Sequence, residues 1–210
     1  MRLSKVFFLF ATVVIFTSCS NDKALRAKAN MLAHKFIITD GHIDTPWKLS
    51  KNYEDISLRT KTGDFDYIRA KEGGLDVPFM AVYIPSSYLE TGGAKEKADS
   101  LIDMVEQIAA KDPDKFEIAY SLADANRIFK EGKVALPMGM ENGAGIEDDI
   151  SNLKHFYDRG IRYITLTHSK DNLICDSSYD ESDDTWGGLS PYGRKVVKEM
   201  NRLGIMVDIS

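Results

Sequence analysis

Cysteine is almost missing from this chain: Cys19 and Cys175 are the only two among 210 residues. A disulfide framework and a thiolate metal site are therefore not expected, and Cys175 reads as a bystander. Positive charge is also in short supply. Lys and Arg total 27 against 32 Asp and Glu, for a formal net charge of −5, and no basic stripe or cluster breaks the pattern. That excludes nucleic acid as an electrostatically favoured partner. There is no internal repeat, which argues against a solenoid. No glycine-rich phosphate fingerprint follows any strand-like run, which weakens a dinucleotide-binding reading.

Long apolar runs are missing too. The longest at the N-terminus, Val6 to Phe16, is eleven residues and too short to span a bilayer comfortably. Arg2 and Lys5 precede it and Thr17-Ser18-Cys19 follows. This order resembles a bacterial lipoprotein signal, with small residues just before the cysteine. Residues 1–18 are read as the signal and Cys19 as the lipidated mature N-terminus. Residues 19–30 are a polar tether, and 31–210 the folded portion. The expected location is the bacterial cell envelope, with the protein held on a membrane face by its N-terminal lipid.

What is present suits an ordinary core: 43% hydrophobic, 10% aromatic and 28% charged residues. Ala24–Lys35 has apolar residues about one turn apart and predicts a helix. Phe36–Thr39 and Asp76–Pro85 read as strands. Ala94–Lys111 is strongly amphipathic, with Leu101, Met104, Val105, Ile108 and Ala109 on one face. Ser121 caps a helix running to Glu131. Val134–Met140 and Ile161–Thr167 are further strands, separated by a helix from Ile146 to Arg159 that Gly160 closes. Asn172–Gly188 is an acidic loop, read as solvated and without a role. Ser190-Pro191 opens a helix to Leu203, Gly204 caps it, and Ile205–Ile209 is one more strand. This alternation implies a parallel α/β architecture, and both a doubly wound sheet and a (β/α)₈ barrel fit it.

Four chemically capable side chains follow predicted strands. His42 and Asp44 stand two apart after the first, where an extended chain would point them the same way as two ligands of one divalent metal. Glu141, flanked by glycines, follows the third and is a candidate bridging ligand. His168 follows the fourth and could bind substrate or stabilise developing charge. Singly, each has a bland alternative: a solvated loop pair, a capping glutamate, a hydrogen-bonded structural histidine. Jointly they mark the C-terminal face of a barrel, where active sites sit. His34 and His155 fall on predicted helices and read as surface or packing residues.

The residues around these four resemble a known family. Asp40-Gly41-His42-Ile43-Asp44-Thr45-Pro46-Trp47 is similar to the D-G-H-N-D-x-P-W signature of membrane (renal) dipeptidases, with Ile43 in place of Asn. Gly73-Gly74 and Ala81-Val82-Tyr83-Ile84-Pro85 resemble that family's second strand. Gly139-Met140-Glu141-Asn142-Gly143 resembles its bridging-glutamate turn, and Tyr163 to Ser169 its Y-L-T-L-T-H segment. Gly188 to Gly193, Val196-Val197, Glu199 to Gly204 and Val207 to Ser210 resemble a further segment. The resemblance runs from about Phe36 to Ser210.

The resemblance implies a TIM-type (β/α)₈ barrel of the metal-dependent hydrolases, a metallo-dipeptidase of peptidase family M19, and two zinc ions. His42 and Asp44 would hold the first zinc and Glu141 would bridge both. A metal-bridged hydroxide would attack the peptide carbonyl of a dipeptide, and His168 would contact the substrate carbonyl oxygen. A homodimer is also suggested. The family pattern continues past Ser210 with a histidine ligand of the second zinc and with further substrate-binding residues. The chain is thus expected to be an N-terminal portion that forms about five of the eight strands. It is expected to bind at most one metal well and to be inactive alone. Two alternatives stay open: a non-catalytic lipoprotein of the same fold that binds dipeptides or a partner, and another binuclear amidohydrolase. The second is disfavoured by Asp44 and Glu141, where those enzymes use H-x-H and a carboxylated lysine.

Overall fold

In a computed structural model, residues 22–180 and 185–210 are described. The signal segment and Cys19 lie outside them, as do Glu181, Asp183 and Asp184 of the acidic loop. The described elements begin with a helix over 22–33, α1. The strands are β1 (Thr39–Ile43), β2 (Val77–Tyr83), β3 (Phe116–Ile118), β4 (Val134–Leu136), β5 (Met138–Glu141), β6 (Ile161–Thr165) and β7 (Met206–Asp208). The remaining helices are α2 (Thr45–Lys51), α3 (Tyr67–Gly73), α4 (Tyr88–Thr91), α5 (Ala94–Lys111), α6 (Leu122–Lys130), α7 (Asn152–Asp158) and α8 (Pro191–Leu203). A 3₁₀ turn covers Gly143–Ile146.

The main sheet has five strands in the order β1-β2-β5-β6-β7, every neighbouring pair parallel. The order never reverses. A doubly wound sheet reverses at a switch point, whereas a barrel adds each strand to the same side. The architecture is therefore a curled, parallel five-strand half-barrel of the TIM type. Helices cover its outer face. Met80, Val82, Met138, Met140 and Ile164 alternate outward into the core and are each at most 1% exposed. Helix α5 supplies Ala98, Leu101, Ile102 and Val105 to the same core.

Three elements differ from the sequence expectation. The first strand is Thr39–Ile43 rather than Phe36–Thr39, so His42 lies in the strand and Asp44 directly after it. Phe36 is 55% exposed and forms no strand. The third apolar run is split in two. Its first half, β4, pairs with β3 in a separate two-stranded sheet, and its second half, β5, enters the main sheet. Pro137 stands at the break, since it has no N–H to give a ladder, while its carbonyl accepts from the Met80 N–H at 2.8 Å. The expected helix from Ile146 is the 3₁₀ turn followed by the shorter α7. Helices α5 and α8 begin and end where expected. Ser190 caps α8 by accepting from the Gly193 N–H at 2.8 Å, and Gly204 takes the left-handed conformation (φ 84°) that ends it.

Candidate metal centre

The inner face of the half-barrel carries the opposite set of alternating residues. His42 is on β1, Tyr83 ends β2, Glu141 ends β5, and Tyr163 and Thr165 lie on β6. His42, Asp44 and Glu141 come together here, each offering one donor atom within 4.8 Å of the others. His42 Nε2 stands 3.5 Å from Asp44 Oδ1 and 3.3 Å from Glu141 Oε2. The other oxygen of Glu141 faces His168 Nε2 at 3.3 Å. All four residues singled out in the sequence thus meet around one carboxylate.

The local route differs from simple alternation at Asp44. That residue has left the strand (φ −79°, ψ 22°) and is the N-cap position of α2, with no capping hydrogen bond from its side chain. Its carboxylate is therefore free to face His42. Glu141 is held by the turn behind it. Asn142 has φ 80°, a conformation rare outside glycine, and is 1% exposed. Its amide donates to the Ile84 carbonyl at 2.9 Å, and its Oδ1 accepts from the Ala144 N–H at 3.2 Å and from Asn172 Nδ2 at 3.3 Å. Three hydrogen bonds over-determine this strained residue and aim its neighbour.

His42 is oriented from behind. Tyr163 Oη and His42 Nδ1 are 2.7 Å apart, which leaves Nε2 for the cluster. The Tyr163 ring lies across Gly139 of the adjacent strand, where a Cβ would meet ring carbons at 2.0 Å. Only glycine admits this crossing. Hydrogen bonding to Glu141 holds the His42 imidazole pKa above its ordinary value, against the opposing effect of burial. Burial, and then the Glu141 charge, push the Tyr163 phenol up, so it remains protonated. His168 packs against the Tyr83 ring at 5.0 Å, and its Nδ1 is buried without a hydrogen-bond partner among the described residues.

Tyr163, Gly139, Asn142 and Tyr83 were not singled out as site residues by sequence. Two-residue alternation from Thr165 back to Tyr163 would have put the tyrosine on the inner face. The other two histidines lie elsewhere. His155 Nε2 pairs with Asp99 at 2.7 Å between α7 and α5. His34 is in the turn after α1 rather than in a helix, and its ring contacts the Asn30 and Lys71 carbonyls. Cys175 is buried and its thiol is pushed up to about 11 by burial. The acidic loop is more than a solvated segment. Asp176 accepts from the N–H groups of Thr185, Trp186 and Gly188, and Asp171 from that of Ser177.

The donor chemistry fits a divalent metal. Two donors each about 2.1 Å from a tetrahedral zinc stand about 3.4 Å apart, and the two His42–carboxylate separations are close to that. A parallel barrel-type sheet with an imidazole–carboxylate cluster at its strand C-termini defines the class of TIM-type proteins with a metal centre on the catalytic face. Comparison with known proteins narrows the class. The profile of the membrane dipeptidases, peptidase family M19, matches residues 26–210, and the chain belongs to that family. An uncharacterized dipeptidase of Schizosaccharomyces pombe is 35% identical over 198 residues, 87% of this chain and 48% of the relative. The solved structure of the probable dipeptidase PvdM from Pseudomonas aeruginosa superposes with a TM-score of 0.79 at 26% identity, covering 90% of this chain and 50% of that one. A Rhodobacter sphaeroides metallo peptidase, liganded with a phosphinate mimic of the dipeptide L-Ala-D-Ala, gives 0.71 at 25% identity, covering 82% and 58%. The chain spans about half the length of the curated relatives it matches.

Proposed function

We propose that this chain is the ligand-bearing N-terminal portion of a zinc dipeptidase, and that the protein hydrolyses the peptide bond of dipeptides. The convergence of His42, Asp44 and Glu141 on the inner face, with His168 on the far oxygen of Glu141, carries this reading. His42, Asp44 and Glu141 would hold the first zinc, and Glu141 would serve a second zinc as well. Bound there, the metal supplies Lewis-acid polarisation and lowers the pKa of water. Tyr163 fixes the imidazole so that Nε2 remains the donor. His168, in its half-exposed position beside Glu141, donates a ring N–H to the oxyanion that develops on the scissile carbonyl. Tyr83 walls the same space and excludes water from one side. A dipeptide substrate is supported by the ligand of the Rhodobacter sphaeroides relative.

Cys19 is proposed as the lipid attachment point, holding the protein to a membrane of the bacterial envelope, and a homodimer as the assembled form. Residues 1–210 alone are proposed to be inactive, because the described residues provide a single three-donor set. The test is hydrolysis of L-Ala-D-Ala by the protein expressed from its complete coding sequence, with and without zinc. Chelator-sensitive turnover that falls at least about a hundredfold in Glu141→Gln supports the proposal. Saturable dipeptide binding without turnover would return the non-catalytic reading.

A further inference from the structure

Beside the candidate metal centre lies a cavity of about 500 Å³. It is walled by Trp47, Tyr83, Ser87 and Thr91, and two lysines, Lys51 and Lys97, enter it. Both ammonium groups lie over the one indole: Lys51 Nζ is 4.1 Å and Lys97 Nζ 5.2 Å from the Trp47 ring. Neither lysine has an ion-pair partner among the described residues, and no acidic side chain lines the cavity. The other lysines of the same helices are paired, Lys48 with Asp64, Lys95 with Asp99 and Lys111 with Asp55. Lys51 is exposed and Lys97 half-buried, so the two like charges repel and Lys97 is incompletely solvated. Burial, and then the Lys51 charge, lower the Lys97 pKa. An anion entering here would relieve both costs.

The cavity also has the right address. Its walls come from the end of β2 and from the segments that follow β1 and β2, at the same C-terminal end of the strands as the metal cluster. Tyr83 is common to both spaces: its ring is 5.2 Å from Trp47 on one side and 5.0 Å from His168 on the other. We propose that Lys51, Lys97 and Trp47 form an anion subsite that takes the carboxylate of an acidic substrate side chain, so that the protein prefers dipeptides containing Glu or Asp. The inference rests on the dipeptidase reading for the substrate but not for the anion.

The experiment has two arms on the protein expressed from its complete coding sequence. In the first, Trp47 fluorescence is titrated with glutarate and with neutral glutaramide in a background where every tryptophan except Trp47 is replaced by Phe. Neither probe carries a dipeptide bond. Glutarate should shift Trp47 emission saturably and glutaramide should not. The double variant Lys51→Met/Lys97→Met should lose the response, and Lys51→Arg/Lys97→Arg should keep it. In the second arm, kcat/KM is compared for Ala-Glu against Ala-Gln, Glu-Ala against Gln-Ala, and Ala-Ala. At least one acidic dipeptide should lead its amide by about tenfold or more, and the Met variants should erase that lead while leaving Ala-Ala unchanged. Equal losses on all substrates would assign the lysines to the terminal carboxylate and overturn the acidic preference. A flat fluorescence titration would overturn the subsite itself. A positive glutarate response without hydrolysis of any dipeptide would leave the subsite standing and sink the dipeptidase reading.

Discussion

At the scale of single residues, the candidate metal centre depends on side chains outside its donor set. Tyr163 reaches His42 Nδ1 only because Gly139 leaves room for its ring. Tyr163→Phe should weaken zinc affinity about 10–100-fold without unfolding the protein, as removal of a ligand's outer hydrogen bond does elsewhere. Gly139→Ala should weaken it at least as much, since the methyl expels the ring. Zinc titration by calorimetry, with circular dichroism as the folding control, checks both. Asp66 is the counterpart in the structural half of the molecule. It is fully buried, caps α3 from the Arg69 N–H at 2.8 Å, accepts from the Thr60 N–H at 3.1 Å, and pairs with the Arg69 guanidinium. Burial alone would raise its pKa, but these donors together hold it below the usual carboxylate range. Asp66→Ala should cost about 2–4 kcal/mol by urea denaturation, because it strands several donors at once.

At the scale of elements, caps and cross-links set boundaries. Ser190→Ala removes the acceptor of the Gly193 N–H at the start of α8 and should cost about 1 kcal/mol in the same assay. Asp55, in the segment before α3, ties to α5 through Lys111 at 2.6 Å. That lysine, and then Ser57, depress the Asp55 pKa to about 2. A depressed carboxylate stabilises the fold above its unfolded pKa of about 3.9, and the contribution disappears as pH falls through about 2. Asp55→Asn should therefore be less stable than the parent at neutral pH and indistinguishable from it near pH 2. Much of this level was legible in the sequence. Amphipathic spacing gave α5 its full length, and Ser190-Pro191 with Gly204 bracketed α8, because such signals are local. The β3–β4 pair and the short α2, α3 and α4 were not legible. Pro137 divides a continuous apolar run, and only tertiary pairing shows which half joins which sheet. His42, Asp44, Glu141 and His168, which meet at the candidate site, were legible as polar groups next to apolar strands. Tyr163 was hidden because an aromatic in a strand looks like core.

At the largest scale, the described residues leave β1 and β7 as the two outer strands of the five-strand sheet, each with one side unpaired among those residues. β1 is exposed along Thr39–His42, and at β7 Met206 is 54% and Ile209 86% exposed. Unpaired edges with apolar neighbours invite strand addition and self-association. The 210-residue chain should show concentration-dependent association by light scattering, and Met206→Lys/Ile209→Lys should reduce it. If the two forms scatter identically at every concentration, these edges are not the adhesive surface.

The turn that aims Glu141 has one more implication, which concerns ageing rather than catalysis. Asn142 is followed by Gly143, a pair whose small, unhindered amide nitrogen readily attacks the preceding side chain once the backbone is loose. In the fold, that nitrogen opens a 3₁₀ turn and the Asn142 amide is bonded at both ends. Folding thus shields a thermolabile bond at the root of the metal cluster. Once converted to aspartate, residue 142 would face the Ile84 carbonyl with an acceptor instead of a donor and could no longer hold the turn. Each episode of heat unfolding should accordingly leave a fraction of molecules that refold without recovering zinc affinity, detectable as Asp or isoaspartate at position 142 by peptide mapping.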